Sequence, residues 1–122
     1  MADEFSVTIN TRFQKGTVNE SFQSGQLNFD VAGNQYIKIM QNIGTVSPEV
    51  LDTHALPTVL FMVVKNSSAT AVIDLRESAG ANPLITMAPG EICAFPPSIP
   101  IPYALADVAG GLIEIFAVED TA

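Results

Sequence analysis

Tryptophan is absent, and histidine and cysteine occur once each, as His54 and Cys93. A single cysteine cannot close an internal disulfide, so the chain supplies no covalent staple of its own, and this cysteine usage points to a reducing compartment. Structural zinc needs about four nitrogen or sulfur ligands, more than one imidazole and one thiol provide. Any Ser/His/Asp or Cys/His nucleophile system must pass through His54. Asp52 lies close by, but no glycine-elbow nucleophile does, and the segment reads as a polar connection. Cys93 shares a strand face with Phe95 and has no basic neighbour to depress its pKa, which is the pattern of a small buried hydrophobe. No catalytic residue, cofactor or metal ligand is therefore assigned.

Basic residues are also scarce. Five against thirteen acidic residues give a formal charge of −8, a field that repels phosphate backbones and argues against direct nucleic-acid binding. No apolar stretch approaches the roughly 18 residues of a membrane span, and the chain opens on Asp3 and Glu4 in place of a basic segment followed by an apolar one. Neither a span nor a signal peptide is expected. The acidic residues form no calcium-loop pattern, and Glu119-Asp120 reads as a solvated tail. Gly110-Gly111 lies between apolar strands with no following helix, so it reads as a turn and not as a phosphate cradle. With only Tyr36 and Tyr103 beside the phenylalanines, the aromatic platform of a sugar-binding cleft is thin.

What remains is apolar surface. Of 122 residues, 48% are hydrophobic and 15% charged, enough for one folded domain over residues 1–122 and too much for disorder. The patterning has period two. Phe5, Val7, Ile9 and Phe13 alternate with Ser6, Thr8, Asn10 and Arg12, which predicts a strand, with 1–13 a possible N-terminal arm or edge strand. Val18 to Phe22 is a weaker, polar strand, and Leu27 to Val31 alternates cleanly after Gly25. Tyr36 to Met40 and Ile43 to Val46 read as two short strands divided by Gln41-Asn42. Ser47-Pro48 could start a single helical turn or an extended crossover.

Val59 to Val64 is continuously apolar, as in a central strand covered on both faces. Ala71 to Arg76, Leu84 to Met87, Ile92 to Phe95, Tyr103 to Asp107 and Leu112 to Val118 complete the series, with Pro89-Gly90 as a tight turn and Gly110-Gly111 as a hairpin signal. Eight to ten short strands predict an all-β protein, a single-domain antiparallel β-sandwich or jelly-roll-like barrel. Phe5, Phe13, Phe29, Phe61, Phe95 and Phe116 fall at expected core positions.

Two segments carry more apolar character than one small core needs. One is the Phe5 to Phe13 strand. The other is Pro96 to Pro102, whose prolines hold an extended run that presents Ile99 and Ile101, either as preordered pegs for a neighbour or as a cover over the protein's own sheet edge. Phe5, Val7, Ile9, Phe13, Pro97, Ile99 and Ile101 are the candidate interface residues. Symmetric contacts of roughly 800 Å² per partner would suit a chain of this size.

The C-terminal half carries a resemblance. Leu60-Phe61-Met62-Val63-Val64-Lys65-Asn66, then Ile73-Asp74-Leu75, then Ile85-Thr86-Met87-Ala88-Pro89-Gly90-Glu91-Ile92-Cys93-Ala94-Phe95, and finally Ala104 to Asp107 and Leu112 to Ile115, follow one another in an order that resembles small β-sandwich virion proteins of tailed bacteriophages. The resemblance covers about half the chain, Val59 to Glu119. It implies a structural protein of the capsid surface, made in the host cytoplasm. Such a protein would cement or decorate the head as a trimer or other symmetric homo-oligomer, with the major capsid protein and its own copies as partners. A tail or head–tail connector component is the alternative within that class, and a peptide- or glycan-binding β-sandwich module the alternative outside it. Ala88 before the Pro-Gly turn and the long Pro96 to Pro102 segment depart from the family pattern.

Overall fold

The computed structural model describes residues 5–29, 35–53, 56, 59–95 and 102–119. His54 and the Pro96 to Ile101 segment, with the candidates Pro97, Ile99 and Ile101, lie outside them. The chain divides into two compact units, residues 1–31 and 32–122.

The first unit is a hairpin of β1 (Phe5–Lys15) and β2 (Val18–Phe29), which, among the described residues, pair only with each other. Lys15 faces Val18 across a two-residue turn, and Gly16 takes φ 60° there, the left-handed geometry that tight hairpin turns demand. The two strands expected after Gly16 are one, because the break predicted at Gly25 is a bulge within β2.

The second unit holds β3 (Tyr36–Ile43), β4 (Glu49–Val50), β5 (Val59–Asn66), β6 (Ile73–Arg76), β7 (Pro83–Met87), β8 (Ile92–Phe95), β9 (Tyr103–Ala106) and β10 (Gly111–Glu119). They form two antiparallel four-stranded sheets, ordered β3-β10-β5-β8 and β4-β9-β6-β7. Apart from the β6–β7 hairpin, every successive pair of strands changes sheet. This is the double Greek key of a jelly-roll sandwich. It is not a closed barrel, since each sheet keeps two edge strands. No helix occurs among the described residues: the Ser47-Pro48 segment leads from a bend into β4. Gln41, expected to divide two strands, lies inside an unbroken β3. Its side chain accepts from Asp52 N (2.9 Å) and donates to Val50 O (3.1 Å), pinning the crossover.

Alternation decides what is buried. Ile113, Ile115 and Ala117 of β10 and Met62 and Val64 of β5 face Ile73 and Leu75 of β6 and Ala104 and Ala106 of β9, and each is essentially closed to solvent. Burying a side chain of this size stabilises by about 1.5–3 kcal/mol. The core is thus aliphatic, which corrects the expectation that phenylalanine fills it. Only Phe61 is buried, whereas Phe95 is half-buried against the core. Phe116 pairs with Val63 and Lys38 on the outer sheet face, and Phe5, Phe13 and Phe29 belong to the hairpin. Glu119 is not a tail residue. It ends β10 in a buried position, its amide donating to Gln35 O (3.0 Å) and its Oε1 accepting from Gln35 N (3.3 Å).

Gly110-Gly111 leads from a bend at 107–109 into β10 and is not a hairpin turn, because β9 and β10 lie in different sheets. A Cβ on Gly111 would come 2.6 Å from Ile43 O and 2.7 Å from Ala106 Cβ, so the chain crosses between sheets where only glycine fits. The Pro89-Gly90 turn also crosses sheets. Glu91 N donates to Ala88 O (3.0 Å), with Gly90 at φ 88°, as a type II turn requires.

Candidate functional site

The sequence patterns quoted above converge on two places, one structural and one displayed. The structural one is Asn66, fully buried at the end of β5. Its Nδ2 donates to Ala71 O (2.8 Å) and Met87 O (2.9 Å), and its Oδ1 accepts from Ser68 N (3.0 Å). Gly90 N donates to Asn66 O and Asn66 N to Glu91 O, both at 2.8 Å. Ser68 Oγ accepts from Leu112 N at 2.8 Å. The Lys65-Asn66 strand end and the Pro-Gly-Glu turn are therefore parts of one knot joining β5, β7 and β10. A buried amide with every partner satisfied organises a fold and performs no chemistry.

Cys93 packs half-buried against the core, and burial pushes its thiol up to about 11, with a backbone hydrogen bond at Val64 opposing the shift. At neutral pH the thiol is therefore held protonated, the poorly nucleophilic form. Among the described residues no group of three or more His, Cys, Asp or Glu is placed to hold a metal ion, and no helix is long and apolar enough to cross a membrane.

The displayed place is the hairpin. Directly opposed residues of an antiparallel pair share a face, and the register opposes Phe5 to Phe29, Val7 to Leu27, Thr11 to Phe22 and Phe13 to Glu20. Between Thr8 and Asn10 the register shifts, so that Ser24 and Gly25 together oppose Ile9, whose N donates to Ser24 Oγ (2.9 Å). Gly25 at φ 69° makes this possible. The bulge has one consequence for the side chains. Without it, strict alternation would put Phe22 and Val18 on the face opposite Leu27 and Phe29; the extra residue reverses the parity and brings them together.

One face therefore carries Phe5, Val7, Ile9, Phe13, Val18, Phe22, Leu27 and Phe29. The rings of Phe5 and Phe29 lie 5.9 Å apart at its open end, while Phe13 and Phe22 near the turn are 57% and 66% exposed. Thr11, on the same face, donates its hydroxyl to Phe22 O (3.3 Å). The sequence named Phe5, Val7, Ile9 and Phe13 as interface candidates, and the structure places them on this one face. It missed Val18, Phe22, Leu27 and Phe29; the signal was Ser24-Gly25, a glycine within an alternating strand, which marks a bulge.

The opposite face holds the cation Arg12 among uncharged polar residues that include Asn10, Ser21 and Gln23, and no carboxylate. Arg12 hydrogen-bonds Gln14, and a shallow open depression of about 520 Å³ is lined by Asn10, Thr11, Arg12, Asn19, Ser21 and Gln23. Over β1 and β2, Arg12 and Lys15 outnumber the single acid Glu20. The hairpin is slightly positive in a chain of formal charge −8. Comparison with family models, with curated proteins and with solved structures gives no match.

Proposed function

We propose that this chain is a viral structural protein without enzymatic activity: a capsid cement or decoration protein that binds the assembled head of a tailed bacteriophage and bridges neighbouring capsid subunits. The observation that carries the reading is the amphipathic hairpin, whose largely apolar face suits burial against other protein subunits better than any role in chemistry. The succession of strands from Val59 to Glu119 that resembles virion sandwiches supports it. So does the jelly-roll topology, by analogy of fold, since capsid domains use this architecture and lectin domains do too. The partners in this reading are the major capsid protein and further copies of the chain, with no direct contact to nucleic acid or membrane. The protein is made in the host cytoplasm and ends on the capsid surface. Binding only the assembled shell would stabilise that state by mass action.

A second reading, a peptide- or glycan-binding module, is favoured by the polar depression between Asn10 and Gln23. Electron cryo-microscopy of particles purified from the source separates the readings. Density for this chain bridging capsid subunits is the expected result; density confined to the tail moves the assignment to a tail or head–tail component. Absence from all particles rejects the virion reading and leaves the binding module.

A further inference from the structure

We propose that the apolar face of the β1–β2 hairpin is a self-association surface, which packs on the same face of a second copy with the two turns at the same end. A two-stranded hairpin with one apolar face is marginal in water and gains stability from an opposing layer. An identical face is a self-complementary layer, since rotation about an axis parallel to the strands sets β1 of one copy over β2 of the other.

Charge selects the occupant and its orientation. Two chains of formal charge −8 repel over most of their surface. The apolar face carries one charge of each sign, Lys15 opposite Val18 and Glu20 opposite Phe13, both near the turn. With turns together, each Lys15 comes to the end that carries the partner's Glu20. With turns at opposite ends, both charges would lie toward the partner's Phe5–Phe29 ring pair, at the far end of the face from the partner's Lys15 and Glu20. Size bounds the interface. Strands of 11 and 12 residues span about 37 Å, so a face about 12 Å wide offers about 450 Å². That is about half the area usual per partner, so the association is expected to be reversible and concentration-dependent.

The test uses the full chain alone, so its outcome does not depend on any shell: a monomeric chain could still decorate a head, and a self-associating one could be absent from it. Sedimentation velocity over a concentration series should show a symmetric oligomer. Phe13→Asp with Phe22→Asp should weaken it at least tenfold while the far-ultraviolet circular dichroism and the thermal transition persist; Gln23→Asp on the polar face should leave it unchanged. Orientation is read from the turn, outside the face. Thr17→Cys, in the exposed turn after Lys15, treated at neutral pH with a short bismaleimide, should cross-link two copies, the unsubstituted chain with its largely protonated Cys93 thiol serving as the blank. A chain that stays monomeric up to high micromolar concentration overturns the proposal, as does an oligomer indifferent to the Phe13 and Phe22 substitutions. An oligomer that never cross-links at Thr17→Cys overturns the orientation.

Discussion

The two units are both antiparallel β-structure, yet they dispose of their apolar residues in opposite ways. The jelly roll sends Ile113, Ile115, Met62, Ile73 and Leu75 into a space enclosed by two sheets, where each is closed to solvent. The hairpin has one sheet and no second layer of its own, and it presents Phe13, Phe22, Val18, Ile9 and Leu27 to solvent. The same period-two alternation builds both. What differs is whether the chain folds a partner layer opposite the apolar face, and this makes one unit a self-sufficient core and the other a surface suited to a second molecule.

Truncation is the strongest way to break that contrast. Ile115→Ala should cost about 3–4 kcal/mol in denaturant unfolding, because it removes buried methyl groups and leaves a cavity. Phe22→Ala should stay within about 0.5 kcal/mol in the dilute chain, although the lost side chain is larger. Equal costs would mean that the hairpin face is enclosed after all.

Next comes the polar knot. Asn66→Ala leaves the Ala71 and Met87 carbonyls and the Ser68 amide without their partner. At about 1–3 kcal/mol for each stranded buried group, partly relieved by water, a loss of about 3 kcal/mol is expected. Calorimetry should show the melting temperature of the jelly roll falling by roughly 10 °C or more.

A smaller effect should appear at the bulge. Gly25→Val forces a β-branched residue to φ 69°, at a cost of about 1–3 kcal/mol. Hydrogen exchange should then quicken between Val18 and Phe29 and stay unchanged in β5 and β10. Because the register shift unites the apolar face, the same variant should also self-associate less.

The smallest effect is that of Cys93. Its folded pKa lies near 11 against an ordinary value of 9.0, so the folded state holds the thiol proton more tightly than the unfolded one. The associated stability is fully present below pH 9.0 and is lost as pH rises toward 11. Stability measured across that alkaline window should fall less steeply in Cys93→Ala, and thiol-specific labelling of the native chain at neutral pH should be slow.

Much of the jelly roll was legible in the sequence. β5, β8 and β10 lie close to where apolar runs and turn residues put them, since a short strand declares itself through neighbours in sequence. Partition of the strands between sheets was not legible. Gly110-Gly111 reads as a hairpin because the residue types of a hairpin turn also suit a sheet-to-sheet crossing, and only the approach to Ile43 and Ala106 tells the two apart. Glu119 looked solvated because acidity near a chain end usually means water; its burial depends on pairing with Gln35, far away in sequence. Of the candidate site, the β1 half was read from alternation, whereas the β2 half was hidden by the change of parity at Gly25.

The sequence by itself determined the strand content, the lack of an internal disulfide, the acidic charge and the amphipathic character of Phe5 to Phe13. These follow from residue types and short-range spacing, and no distant contact can alter them. Only the tertiary structure decided which alternating face became a core and which became a surface. That choice rests on register and on sheet partners brought together from far apart in the chain, where one extra residue at Gly25 turns Phe22 from one side of the hairpin to the other.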